Sequence, residues 1–168
     1  MTASVQSESL DLETRIEADH HQAIKLWLRL LTCTNLVTNE IRSQLREDFD
    51  TTLPRFDLLA QLERSPDGLR MGELSKRMMV TNGNITGITD QLEREGLVER
   101  INDAQDRRSF TVRLTALGHR TFAHMAQVHE GWVIEFFSGL SGREKNSLFA
   151  LLAKLKLHLN SQTNKETP

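Results

Sequence analysis

Polar side chains between residues 81 and 94 have types and spacing suited to reading the base edges of duplex DNA. Asn84 and Gln91 each carry a donor and an acceptor, which match the hydrogen-bonding pair of adenine, and the methyl group of Thr86 matches that of thymine. Asp90 can accept a hydrogen bond from the amino group of cytosine, or it can orient a neighbouring arginine. The alternative is a polar segment that is simply exposed to solvent. The candidate DNA-binding residues of this segment are Thr81, Asn82, Asn84, Thr86, Asp90 and Gln91, of which Asn84, Thr86 and Gln91 are the groups able to read base edges.

Basic residues on both sides of this segment are candidates for contacts with the DNA backbone and minor groove. Arg107 and Arg108 could enter a minor groove, whose negative potential attracts guanidinium groups, and Asp106 could hold one of them in a bidentate pair. The alternative is an ordinary exposed turn, in which such a pair contributes little. The candidate phosphate contacts, which fix register without reading sequence, are Arg70, Lys76, Arg77 and Arg113.

A helix is needed to present the base-reading residues on one face. Apolar residues recur at helical spacing through the segment and form an inward stripe, namely Ile85, Ile88 and Leu92. Thr81 is expected to cap the start of this helix and Gly96 to end it. On the polar face, Gly83 and Gly87 would let the helix backbone approach the floor of a groove closely.

The neighbouring segments complete a recognisable DNA-binding unit. Residues 71–79 predict a preceding short helix, and the β-rich runs at residues 97–101 and 110–114 predict a hairpin whose polar tip carries the arginines. Two short helices joined by a four-residue turn and followed by a hairpin make a winged helix-turn-helix. The sequence thus predicts a mainly α fold with a small β-hairpin wing.

Long helices are expected on both sides of that unit. Residues 19–52 repeat apolar positions at spacings of three, four or seven, without Gly or Pro, and Pro54 suits the first turn of a second helix. Thr115 caps a further helix, and Ser141 with Glu144 three residues later forms a capping-box pattern ahead of the last one. Apolar residues surround more of this last helix than one-sided packing requires. They are Leu148, Phe149, Leu151, Leu152, Leu155, Leu157 and Leu159.

Composition excludes several classes of protein. The 168 residues carry 21 Lys+Arg against 23 Asp+Glu, so net charge does not indicate a nucleic-acid partner, although residues 70–120 hold 9 basic and 7 acidic residues. The sequence lacks an uncharged run long enough for a membrane span and an apolar signal-peptide stretch, which predicts a cytoplasmic protein. Nucleophile motifs, phosphate loops and a convincing metal-ligand cluster are also missing, so we expect neither an enzyme nor a metal or other cofactor. A helical protein–protein adaptor remains an alternative.

The run LSKRMMVTNGNITGITDQLEREGLVER at residues 74–100 resembles the core of MarR-family transcriptional regulators. The run DAQDRRSFTVRLTALG at residues 103–118 resembles that family's wing and the entry to the helix after it. The resemblance is clear over residues 54–120. It implies a homodimer whose first and last helices interlock and whose two winged domains bind a palindromic double-stranded DNA operator.

This resemblance implies five segments along the chain. They are a flexible arm at residues 1–15, a helical dimerisation region at 16–52 and 116–160, a winged helix-turn-helix DNA-binding domain at 54–115 and a flexible tail at 161–168.

The resemblance further implies a repressor that leaves DNA when a small molecule binds. Residues 69–74 and 80–84 look like members that control aromatic-acid breakdown, some of which respond to acyl-coenzyme A thioesters. The effector would be an aromatic carboxylate or its acyl-CoA thioester, and ordinary packing is the alternative role of the residues assigned to it. Those candidate residues are Trp27, Arg29 and Phe56 for an aromatic wall and anion anchor, and His20, His21 and Arg29 for effector phosphates.

Cys33 departs from the pattern of redox-sensing family members. In those members a reactive cysteine lies near the start of the first long helix, whereas Cys33 lies well inside it, between Thr32 and Thr34. No Lys or His adjoins it in the sequence to activate the thiol, so we expect a packed, inert side chain. Redox sensing through Cys33 remains an alternative.

Overall fold

A computed structural model describes residues 22–102 and 110–163 of the protein. The chain forms two compact units, Met1–Asp57 and Leu58–Pro168, and their boundary falls inside the second helix. The predicted mainly α fold with a small β wing is confirmed. None of the helices within the described ranges is both long enough and apolar enough to cross a membrane.

The first unit contains helix α1, Gln22–Phe49, and the start of helix α2, Leu53–Glu63. α1 ends where Asp50 adopts a left-handed conformation with φ of 48°, and its amide donates to the carbonyl of Arg46 at 3.1 Å. Pro54 lies in the first turn of α2, as predicted, where its missing N–H is not needed. Large apolar side chains are exposed along the first half of α1, namely Ile24, Leu26, Trp27, Leu30, Leu31 and Leu36.

The second unit continues from α2 into a three-stranded antiparallel sheet in the order β1-β3-β2. Its elements are β1 Leu69–Arg70, α3 Met71–Met78, α4 Asn82–Arg94, β2 Val98–Asn102, β3 Phe110–Leu114, α5 Ala116–Phe136 and α6 Gly142–Thr163. β2 and β3 form the predicted hairpin, with Val98 opposite Leu114 and Asn102 opposite Phe110. β1 was not predicted, because two residues are too few to show a strand period. It is formed by pairing with β3, with Leu69 opposite Val112.

The predicted inward stripe of α4 lies in the core of this unit. Ile85 and Leu92 are completely buried, Ile88 is 8% exposed, and Thr89 is buried with its hydroxyl donating to the carbonyl of Ile85 at 2.8 Å. The stripe is therefore confirmed, and it leaves the opposite face of α4 to solvent. The other buried apolar residues of the unit are Leu58, Leu59, Leu62, Leu69, Leu74, Val98, Val112, Leu114 and Met125.

A tight joint connects the end of α4 to the sheet and to α5. Gly96 ends α4 with a φ of 72°, a region that favours glycine. The Thr115 hydroxyl donates to the Gly96 carbonyl at 2.6 Å and accepts from the Gly118 amide at 3.0 Å, so Thr115 is the predicted cap of α5. A Cβ on Gly118 would lie 2.0 Å from the carbonyl oxygen of Leu97, which leaves no room for a side chain.

Helix α6 begins with the predicted capping box. Ser141 donates its amide to the Glu144 carboxylate at 2.8 Å, and the Glu144 amide donates to the Ser141 hydroxyl at 3.3 Å. Hydrogen bonds from Ser141 hold the pKa of Glu144 below its usual value. All the described side chains from residue 141 to 162 are exposed, including the seven predicted apolar positions of the helix.

Candidate nucleic-acid interface

The exposed face of α4 has the geometry expected for base reading. Thr81 is the N-cap, with its hydroxyl accepting from the Asn84 amide at 3.4 Å, and this fixes the first turn of the helix. Asn84, Thr86 and Gln91 are all exposed on the side away from the buried stripe. The predicted placement of these three side chains is therefore confirmed, and their contacts with bases stay a prediction.

Two glycines lie on the same face and leave the helix backbone open. A Cβ built on Gly83 or Gly87 meets no atom within 4 Å, so packing inside the described chain does not require glycine at either position. Glycine is unfavourable in a helix by about 0.5–1 kcal/mol relative to alanine. The open backbone provides a surface that a groove floor can approach closely.

The turn between α3 and α4 contains three residues, 79–81, whereas a four-residue turn was predicted at 81–84. The predicted position is wrong because Thr81 caps α4, so that residues 82–84 already form its first turn. Met79 has a left-handed conformation with φ of 54° and is 93% exposed. The Ser75 hydroxyl donates to the Val80 carbonyl at 2.6 Å, and the Val80 amide donates to the Ser75 carbonyl at 3.2 Å. These bonds hold the two helices in the arrangement of a helix-turn-helix.

Three of the four candidate phosphate contacts lie at the two ends of α3, and the fourth, Arg113, lies exposed on β3. Arg70 precedes the helix, with its amide donating to the Glu73 carboxylate at 3.3 Å, and its side chain is exposed. Lys76 and Arg77 lie exposed in the last turn, where positive charge complements the helix dipole. Arg77 also donates to the Ser65 hydroxyl at 3.1 Å, which holds its guanidinium near the loop after α2.

Asp90 is engaged by an arginine, which is one of the two roles predicted for it. Arg100 on β2 pairs with Asp90 and with Glu93, and both carboxylates lie on α4. The same guanidinium lies over the ring of Phe110 on β3, with 5.3 Å between its central carbon and the ring centroid. Sequence reasoning missed Arg100 and Glu93. The available signal was the pair of acidic residues three positions apart on α4, which indicates a shared cationic partner.

Several predicted site residues fall outside the described residues. They are His20, His21, Asp106, Arg107 and Arg108, together with the side chain of Asn82. The strands of the wing are described up to Asn102 and from Phe110, and these two residues pair with each other. Arg113 donates to Glu99 across the hairpin at 2.7 Å.

The candidate effector residues within the described chain all belong to the first unit. Trp27 is 59% exposed and Arg29 is also exposed, whereas Phe56 is buried at 6% exposure. Trp27 and Arg29 therefore present surface to a small molecule, and Phe56 presents almost none. Their role in effector binding stays a prediction.

Cys33 is exposed, so the expectation of a packed thiol is wrong for the single chain. It lies on α1, where much of the helix surface is open. Within residues 22–102 and 110–163, His, Cys, Asp and Glu side chains form no group of three or more that could hold a metal ion.

The sequence matches proteins described as transcriptional regulators. Residues 51–110 match the MarR family. An uncharacterized HTH-type transcriptional regulator of Bacillus cereus is 31% identical over 134 residues, which are 79% of this chain and 88% of that protein. The transcriptional activatory protein BadR of Rhodopseudomonas palustris is 30% identical over 113 residues, 66% of this chain and 64% of that protein.

Solved structures agree with these matches. A MarR family transcriptional regulator from Silicibacter pomeroyi has 32% identity and a TM-score of 0.71, and the match covers 85% of this chain and 99% of that one. AbsC of Streptomyces coelicolor has 27% identity and a TM-score of 0.72, with 88% and 99% covered. A MarR mutant from E. coli, complexed with operator DNA, shares the fold at 24% identity and a TM-score of 0.69, with 83% and 99% covered. The relatives that it matches are described as regulators and not as enzymes, and this chain belongs to the MarR family of transcriptional regulators.

Proposed function

We propose that the protein is a homodimeric repressor that binds a palindromic DNA operator and is released by an aromatic carboxylate or its acyl-CoA thioester. The observation that carries the DNA-binding part is the open polar face of α4, with Gly83 and Gly87 leaving its backbone accessible. The operator complex of an E. coli chain with the same fold supports this use of the fold.

Each DNA contact has a separate role in the proposal. Asn84, Thr86 and Gln91 read base edges in the major groove, with a modest preference for A·T pairs. The arginines of the wing, Arg107 and Arg108, enter the adjacent minor groove, where negative potential is strongest at A·T-rich sequence. The remaining proposed contacts are Thr81, Asn82, Asp90 and Asp106 near the bases or the wing, and Arg70, Lys76 and Arg77 on the phosphates.

The exposed apolar surfaces of α1 and α6 support the dimer. Leu151 is 66% exposed, Phe149 75% and Leu157 72%, which is unusual for a helix in contact with water alone. A second copy of the chain would bury these residues. Two copies also present two reading helices to half-sites about 34 Å apart, and linkage of the half-site contacts raises the overall affinity.

The effector part of the proposal rests on residues of the first unit. Trp27 offers an exposed aromatic face and Arg29 an exposed cation, a combination suited to an aromatic carboxylate. His20 and His21 precede α1 in the sequence and are the proposed contacts for the phosphates of a thioester. Phe56, the other predicted residue of the aromatic wall, is only 6% exposed, so its side chain would have to be uncovered to contact the effector.

DNA binding is tested first by selecting an operator with the protein from random duplexes about 30 base pairs long. This length accommodates two half-sites one helical turn apart. In the proposal, Arg70, Lys76 and Arg77 of both protomers make six phosphate contacts. A plot of the logarithm of the association constant against the logarithm of the salt concentration should therefore have a slope of about −5. A protein that enriches no duplex, or a slope near zero, would contradict DNA binding and favour the adaptor alternative.

Substitution of a base reader tests specificity. Gln91→Ala should cost about 1–3 kcal/mol per half-site on the selected duplex and little on random DNA. Gln127→Ala, which removes an exposed glutamine of α5, is the matched control and should leave both affinities unchanged. Equal losses on the two duplexes would show that Gln91 reads no base.

Effector response and regulatory sign need two further measurements. Titration calorimetry with benzoate-type acids and their CoA thioesters should show that one of these compounds binds the protein, and Trp27→Ala should weaken that binding. Addition of the same compound should release the protein from the selected duplex. Transcription in vitro from a promoter containing that duplex should fall when protein is added and recover with the effector. Increased transcription would overturn the repressor assignment and match the sign in the name of BadR.

A further inference from the structure

Arg100 connects three elements of the second unit through one side chain. Its guanidinium pairs with Asp90 and Glu93 on α4 and covers the ring of Phe110 on β3. The Arg100 side chain is 23% exposed, whereas that of Asp90 is 50% exposed. The cation is thus mostly withdrawn from water, while the carboxylate that it holds remains on the open part of α4.

These contacts link the two parts of the molecule that face DNA in the proposed function. Asp90 directly precedes Gln91, and Phe110 is the first described residue after the segment that carries Arg107 and Arg108. Apolar packing beneath α4 is non-directional. A planar guanidinium that pairs with two carboxylates fixes both distance and angle.

We propose that Arg100 is a positioning residue that sets the orientation of α4 relative to the wing, so that Gln91 and the wing arginines engage one duplex together. This proposal rests on the proposed DNA-binding function. The single positive charge of Arg100 also offsets one of the two negative charges of Asp90 and Glu93, which would repel phosphates. Neutralisation requires only a cation, whereas positioning requires the forked geometry of arginine, so different substitutions separate the two effects.

The direct test is Arg100→Lys, which keeps the positive charge and removes the fork. Binding is measured on the duplex selected by the wild-type protein and on an unselected duplex of equal length. We expect the Kd for the selected duplex to rise about tenfold or more, the size of one misplaced base contact. The Kd for the unselected duplex should stay within about twofold, because no phosphate contact is lost. Unchanged affinity for the selected duplex would overturn the proposal.

Two comparisons separate positioning from neutralisation. Arg120→Lys alters an exposed arginine of α5, which belongs to neither α4 nor the hairpin, so both affinities should stay unchanged. The triple variant Asp90→Asn, Glu93→Gln, Arg100→Gln removes the fork and both carboxylate charges together. If Arg100 acts by positioning, this variant should still bind the selected duplex more weakly than the wild type does. Wild-type affinity for the selected duplex would overturn the proposal and show that Arg100 acts by neutralising charge.

Thermal unfolding of each variant serves as the control for correct folding. Binding is then measured well below the lowest unfolding midpoint of the set. If Arg100→Lys is unfolded at the assay temperature, Glu93→Gln replaces it, because that variant weakens one arm of the contact at a residue outside the proposed DNA contacts and retains Arg100. It should show a smaller loss confined to the selected duplex, and an unchanged Kd would overturn the proposal. Failure of the wild-type protein to bind any duplex would instead refute the proposed function.

Discussion

Gly87→Ala should separate stability from DNA binding at a single position. Gly87 lies in the interior of α4, and a Cβ built there meets no atom within 4 Å. Alanine is favoured over glycine in a helix interior by about 0.5–1 kcal/mol. The variant should therefore be more stable by about this amount, which corresponds to a rise of about 2–4 °C in Tm for each kcal/mol in a chain of this size.

The same methyl group should impair operator binding. If the α4 backbone approaches the groove floor, the added Cβ holds the helix away and weakens the neighbouring contacts of Thr86 and Gln91. We expect a loss of about 1–3 kcal/mol per half-site, within the range of a direct base contact. This is about 5- to 150-fold in Kd for each half-site.

The matched control is Gly131→Ala. Gly131 lies in the interior of α5, is exposed, and also has no atom within 4 Å of a built Cβ. Its substitution should raise Tm by a similar amount and leave the Kd for the selected duplex unchanged. Thermal unfolding and fluorescence anisotropy on both variants provide the two readouts. A Gly87→Ala variant that gains stability and keeps wild-type affinity would refute close approach at this glycine.

Three further predictions test the joint after α4, the wing and the cap of α6. Gly118→Ala should cost at least about 3 kcal/mol in the free energy of unfolding, because its Cβ would lie 2.0 Å from the Leu97 carbonyl oxygen, and chemical denaturation with a near-wild-type midpoint would show that the joint can move. Arg108→Ala should weaken operator binding with little change in Tm, and equal binding of the variant and the wild type in fluorescence anisotropy would remove the wing from the mechanism. Because the pKa of Glu144 is lowered in the folded chain, its contribution to stability is complete above its usual value of 4.5 and is lost as pH falls through the lowered pKa. The Tm difference between wild type and Glu144→Gln should shrink over that acidic range, and a constant difference would mean that the carboxylate charge does not matter to the cap.

Local signals in the sequence were sufficient for most of the helices. The stripe of Ile85 and Leu92 and the caps at Thr81, Thr115 and Ser141 each act within one or two turns, so their effects can be derived from neighbouring residues. The exposed face of α4 followed directly from that stripe.

Features that depend on contacts across the fold were not predictable in this way. β1 has only two residues and exists because Leu69 pairs with Val112, far along the chain. The engagement of Asp90 by Arg100 joins α4 to a strand ten residues away, and sequence spacing gave no register for it. The exposure of Cys33 depends on how much of α1 is covered, which helical periodicity alone does not determine.

Hydroxyl-radical footprinting of the selected duplex, with the full-length protein bound, tests the central claim most directly. Two reading helices on a symmetric dimer should protect two sets of backbone sugars that flank successive major grooves, related by two-fold symmetry with centres about 10–10.5 base pairs apart, and the wings should protect the minor groove beside each. A single patch, or protection without that symmetry, would contradict the dimeric operator-binding account.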